Sequence, residues 1–215
     1  MTSQWMKWSH LLQVTILAVA TCGIGTGLIA GEPTEQVKQT TEQILSVLRD
    51  PKWSAQDSHR EQVDVIQKLI STRFDWEAIS QGCLGRHWRN RSETEKQEFQ
   101  SLLEDFLRRN YVEKITSSYT NLVEVRYLNE KVIDSYASVQ TKVTTQKVDA
   151  TVEYRLRKRP ADPGWKVYDA LIEGVSLVKN YRVQFDEIIN KSSYADLVAR
   201  IKKRIKEASD PELPL

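Results

Sequence analysis

The chain has 215 residues, 40% hydrophobic and 28% charged, with 31 Lys and Arg set against 29 Asp and Glu. A formal net charge of +2 supplies no field that would gather nucleic acid, and two cysteines cannot build a disulfide scaffold. The length suits one domain with a substantial core.

Residues 1–31 differ from the rest. Lys7 is the one charged side chain there, and Leu11 to Ala30 is mostly apolar or small. That pattern predicts a secretory signal peptide. The stretch is also just long enough to cross a bilayer, so an uncleaved anchor is the alternative. Gly25 and Gly27 offer small residues at both cleavage subsites, whereas the residues near Ala30 do not do so clearly. Cys22 follows Val19, Ala20 and Thr21, a poor lipoprotein box, and is expected to leave with the signal. Residues 32–215 then make a single, nearly neutral domain. Cys83 becomes its lone cysteine, without a partner for an intrachain disulfide and expected to be a small buried filler.

The first half of this domain reads as helical. Val37, Thr41, Ile44, Leu45 and Leu48 recur at helical spacing up to Asp50-Pro51. Val63, Ile66, Leu69 and Ile70 mark a second helix. A short third one starts at Asp75, an N-cap, and runs to Gly82. Ser92-Glu93-Thr94-Glu95 is a capping box. It opens the longest helix, whose stripe is Phe99, Leu102, Leu103, Phe106, Leu107, Tyr111 and Ile115.

From Leu122 the period becomes two. Val123, Val125 and Tyr127 alternate with Glu124 and Arg126, and Ala137, Val139, Thr141 and Val143 with Ser138, Gln140 and Lys142. In "KVDATVEYRLRK" Val148, Ala150, Val152, Tyr154 and Leu156 share one face. Such alternation predicts an antiparallel sheet with one wet and one covered face. Pro160 to Gly164 turn the chain into a strand from Trp165 that is apolar on both faces, as a central strand would be. Gly174 breaks it, and Ser176 caps a helix striped by Leu177, Tyr181, Phe185 and Ile188. A last helix begins near Tyr194 with Leu197, Val198, Ile201 and Ile205. The expected fold is α+β, helices closing over one concave face of a curved antiparallel sheet.

Catalytic signatures are missing. His59 and His87 have no metal-ligand spacing, and the chain holds no GxSxG elbow, P-loop or GxGxxG. A Ser176–His87–Asp169 triad lacks support, because Ser176 already has a cap to make. Asp169 and Arg182 could pair across the strand–helix junction, as a structural ion pair rather than a catalytic one. Arg200, Lys202, Lys203, Arg204 and Lys206 crowd the last helix. They read first as a solvated face and second as a docking patch for an acidic partner or an anionic membrane.

Two runs resemble the MlaC family, the periplasmic phospholipid-binding or toluene-tolerance proteins. One is "RFDWEAISQGCLGRHWRNRSETEKQEFQSLLEDFLRRNY"; the other, more specific, is "WKVYDALIEGVSLVKNYRVQF". The resemblance spans roughly Pro33 to Lys206. It implies an NTF2-like fold and a non-enzymatic periplasmic carrier without cofactor or metal, with bound phospholipid as cargo. Its partners would be an outer-membrane lipoprotein–porin complex and an inner-membrane ABC transporter carrying an MCE-domain subunit, with no nucleic acid and the carrier a monomer.

Physics agrees with that implication. A two-chain lipid has roughly thirty methylenes, each worth about 0.8 kcal/mol on leaving water, so a carrier must shelter something like 24 kcal/mol of apolar surface. Only a deep space between layers can do that. The headgroup stays in water, so neither a phosphate cradle nor a catalytic residue is required. Alternation and helical phase nominate Phe99, Phe106, Tyr111, Ile115, Tyr119, Val152, Tyr154, Val167, Leu171, Val175, Tyr181 and Phe185 as the acyl-cavity residues. Two competing expectations are an enzyme of the same fold using Tyr168 and Asp169 in acid–base chemistry, and a non-lipid adaptor docking through the basic last helix.

Overall fold

A computed structural model describes residues 31–53, 58–108, 110, 122–145 and 149–208. Helix α1 covers Glu32–Arg49, with Pro33 in its first turn and Glu32 and Glu35 at the positive end of its dipole. It stops at Asp50, which the following Pro51 holds extended. Its buried stripe contains the expected Val37, Thr41, Ile44, Leu45 and Leu48. Helix α2 spans His59–Arg73 and α3 spans Trp76–Leu84, where the Asp75 side chain accepts from Ala78 N–H at 3.0 Å.

Gly82 does not end α3. It lies inside the helix, where an added Cβ would come within 2.5 Å of Val178 Cγ1, so it is the point at which a later helix presses close. Gly85, at φ +54°, ends α3 instead. A 3-10 turn follows over Gly85–Asn90, and α4 covers Glu93–Leu107 behind the predicted capping box of Ser92 and Glu95. Tyr111 and Ile115, the last of its expected stripe, lie outside the described residues. The sheet is a meander in the order β1 (Leu122–Ile133), β2 (Tyr136–Thr145), β3 (Asp149–Arg157), β4 (Lys166–Ile172) and β5 (Val175–Ser176), antiparallel throughout. Helices α5 (Leu177–Lys191) and α6 (Tyr194–Ala208) complete it.

The register of β2 on β3 sets Val139 against Tyr154, Thr141 against Val152 and Val143 against Ala150, which gathers one apolar face. β1 is the outer strand at one end, and its pairing slips between Leu122 and Glu124 and again between Tyr127 and Asn129. β4 is not the central strand its composition predicts, because beyond it lies only the two-residue β5. Its apolar character has another cause. Phe74 forms a parallel bridge with Val167, and Asp75 N–H donates to Val167 O at 2.8 Å, so the segment joining α2 to α3 seals its edge. Helices α3 and α5 pack on it as well.

Glu173 and Gly174 turn β4 into β5 with φ of 48° and 77°, the two-residue hairpin that needs positive φ at both positions. Gly174→Ala should cost about 1 kcal/mol there. A fall in Tm of about 2–4 °C on thermal unfolding checks it, and an unchanged Tm would refute the strain. At the opposite end of β4, Arg73 ties three elements. It donates from Nη1 to Gln36 Oε1 at 2.6 Å and Trp165 O at 2.9 Å, and from Nε to Thr40 Oγ1 at 3.0 Å.

The buried apolar residues fall into three clusters. The sheet cluster joins the inner face of β2, β3 and β4 to Val37 of α1. The helical cluster joins α3, α4, α5 and α6 through residues such as Cys83, Phe99, Leu103, Phe185 and Leu197. The third packs α1 on α2 through Ile44, Leu45, Leu48, Val63, Ile66 and Ile70.

Candidate functional site

Partly buried side chains bridge these clusters. Phe74 touches all three, Trp76 touches the helical and the α1–α2 clusters, and Val125 touches the sheet and the α1–α2 clusters. Phe74 and Trp76 stack with ring centres 5.6 Å apart. The layers therefore meet along an apolar seam whose walls are a sheet face on one side and helices on the other.

The nominated residues divide between the two walls. Val152, Tyr154 and Val167 stand on the sheet wall. Phe99, Phe106, Tyr181 and Phe185 stand on the helical wall, where Phe99 meets Phe185 edge-on at 6.1 Å and Phe106 meets Tyr181 edge-on at 5.8 Å. Leu171 is buried but belongs to neither wall, and Val175, 37% exposed, stands at the surface in β5. Tyr111, Ile115 and Tyr119 lie outside the described residues. Burial pushes the Tyr127 phenol up to about 12 and raises that of Tyr154, so both stay neutral and suit an apolar lining.

The groups suspected of chemistry are occupied elsewhere. Asp169 is buried and accepts from Ser176 Oγ–H at 2.7 Å and Val178 N–H at 3.1 Å, which fastens the start of α5 to β4. Its cationic neighbour is Arg155 at 3.8 Å, while Arg182 Nε donates instead to Gly82 O at 2.6 Å; the expected Asp169–Arg182 pair is replaced by these two contacts. His87 pairs with Asp186 at 2.8 Å, so Ser176, His87 and Asp169 do not form a triad. Burial also raises the Tyr168 phenol, which keeps it protonated and makes it a weaker acid. Asp169→Asn should therefore hold as much lipid as the parent, measured by solvent extraction and mass spectrometry. Loss of cargo from a folded Asp169→Asn protein would instead favour the Tyr168/Asp169 reading.

Burial raises the Cys83 thiol, and with no exposed surface it is an inert filler. Among the described residues no three His, Cys, Asp or Glu come together as metal ligands, and no helix is long and apolar enough to cross a membrane. Two surface grooves have mixed walls, apolar at the floor and charged at the rim. One of about 710 Å³ is lined by Leu84 and Val183 together with Arg86, Arg182, Asp186, Glu187, Asn190 and Lys191. The other, about 310 Å³, runs along α6, where Phe106, Ile188, Leu197 and Ile201 meet Arg200, Lys203, Arg204 and Glu207. On α6 itself Arg200 pairs with Asp196 at 2.8 Å and Lys203 with Glu207 at 3.6 Å, which makes much of the basic run a solvated, internally balanced face.

The MlaC protein family matches residues 38–203, most of the chain and all of the seam. The chain belongs to the MlaC family. Among solved structures, a phospholipid-binding protein from Ralstonia solanacearum, determined in complex with a phospholipid, is similar at a TM-score of 0.71 and 25% identity. The likeness covers 84% of this chain and 100% of that one. No curated protein matches. In this MlaC-family chain the seam also uses residues that periodicity missed. Phe74 sits in the link between α2 and α3 and Trp76 at the first position of α3, where no stripe marks them, and the one available sign was two aromatic rings flanking the capping Asp75.

Proposed function

We propose that the chain carries phospholipid through the periplasm between the outer and inner membranes, in the service of outer-membrane lipid asymmetry. The acyl chains lie in the seam between the sheet wall and the helical wall, and the headgroup faces water. The observation that carries this reading is the division of the core into clusters joined by partly buried apolar side chains at Phe74, Trp76 and Val125. A fully merged core would leave nowhere to put hydrocarbon. Family membership and the phospholipid-bound relative support the cargo assignment.

In this mechanism Val152, Tyr154 and Val167 face the tails from the sheet, and Phe106 and Tyr181 face them from the helices. Phe99 and Phe185, which meet edge-on, brace the helical wall. Leu171 backs the lining, and Val175 stands at its rim. No bond is broken, so no catalytic group is needed. Residues 1–31 direct export. The cargo is received from and handed to an outer-membrane lipoprotein–porin complex and an inner-membrane ABC transporter with an MCE-domain subunit.

The test is to purify the protein without detergent, extract it with organic solvent and identify lipids by mass spectrometry. Phospholipid at about one per chain is expected. Repeated recovery of folded protein free of lipid, and unable to take it from vesicles, would end the proposal.

A further inference from the structure

Among the described residues four side-chain polar atoms are buried without a hydrogen-bond partner: Nε1 of Trp53 and Trp76, Oγ of Ser80 and Nε of Arg91. Arg91 already spends Nη1 on Glu95 at 2.9 Å and lies over the Tyr194 ring, and Trp53 stands in the short turn after α1. Trp76 and Ser80 are placed differently. They are one helical turn apart on α3 and so share a face of it. Ser80 has no exposed surface, and the Trp76 ring lies at the seam, stacked on Phe74.

A buried donor without an acceptor is destabilising, and buried indole N–H groups normally find one. Two such donors on one face of a helix await an acceptor that arrives with something else. Both are uncharged. A phosphate brought to them would leave its charge uncompensated in an apolar setting, whereas a carbonyl oxygen would not. A diacyl lipid carries one carbonyl at the head of each tail, the first polar atoms above the hydrocarbon.

Building on the carrier reading, we propose that Trp76 Nε1–H and Ser80 Oγ–H receive the ester carbonyl oxygens of the bound lipid. The pair sets the depth of the tails and makes the protein selective for ester-linked over ether-linked chains, whatever the headgroup.

The experiment offers the full chain vesicles holding equal amounts of diester and diether phosphatidylethanolamine with the same chain lengths, then measures the bound lipids by mass spectrometry. The parent should be enriched in the diester form by about tenfold, as two neutral hydrogen bonds allow. A Trp76→Phe/Ser80→Ala variant, which keeps the ring stack, should take the two lipids at a ratio near that of the vesicles. A parent that takes both lipids in the vesicle ratio overturns this inference and leaves the carrier reading standing, whether or not the variant folds. A folded variant that keeps the parental enrichment overturns it too. A parent that takes neither lipid overturns the carrier reading and this inference with it.

Discussion

Replacing Val125 by Trp should empty the protein of phospholipid while leaving it folded. Val125 is a partly buried side chain between the sheet cluster and the α1–α2 cluster, on the inner face of β1 opposite Val143. In a packed interior, adding an indole there would force neighbours from their rotamers and cost about 1–3 kcal/mol. In a seam that holds hydrocarbon, the ring occupies the space of the tails instead. Lipid recovered per chain should then fall at least about tenfold, since losing a few methylenes of sheltered length at about 0.8 kcal/mol each is enough. The Tm of the lipid-free form should move by no more than about 2–4 °C, which corresponds to about 1 kcal/mol in a domain of this size. A large drop in Tm together with undiminished lipid would mean that the seam is closed core and that cargo lies elsewhere.

Asp75→Ala is the substitution expected to damage the fold most. The Asp75 side chain is only 1% exposed and accepts from Arg157 Nε at 2.5 Å, with Arg159 Nη2 at 4.0 Å. The same carboxylate caps α3, and the backbone of Asp75 is the one that seals β4. Breaking a buried pair costs about 3–5 kcal/mol, and because Arg157 is 25% exposed we take about 2–4 kcal/mol here. The lost cap adds about 1 kcal/mol. Thermal unfolding should show Tm lower by about 6–20 °C at about 2–4 °C per kcal/mol. Asp75→Leu/Arg157→Met, which removes both charges and keeps apolar volume, should recover much of that loss. If Asp75→Ala melted within about 2 °C of the parent, the pair would contribute little and the β4 edge would be held by other contacts.

Much of this architecture is legible in the residues alone. Strict alternation from Ala150 to Leu156 predicts the covered face of β3, and the burial pattern agrees residue by residue. The Ser92–Glu95 box and the caps at Asp75 and Ser176 are local chemistry, fixed by residues three apart, and each forms as expected. What failed was non-local. Gly82 looked like a stop because its neighbour across space, Val178, is 96 positions away in sequence. β4 looked central because apolarity records burial and not what does the burying. Asp169 and Arg182 looked like partners, yet a carboxylate at a helix start is better served by the N–H of Val178 and the hydroxyl of Ser176. The walls of the candidate site were partly legible for the same reason. Phe106, Val152 and Tyr181 follow a period and could be found, whereas Phe74 in the α2–α3 link and Trp76 at the first position of α3 follow none.

The broken pairing of the outermost strand bears on how the protein lives at high concentration. A long straight ribbon of unpaired amides at a sheet edge invites a protein to stick to its own kind. The two slips in β1, with Glu124, Arg126, Glu130 and Lys131 along it, make the ribbon kinked and charged. A second copy finds no flat template to extend, so crowding should favour free diffusion over fibre or stack.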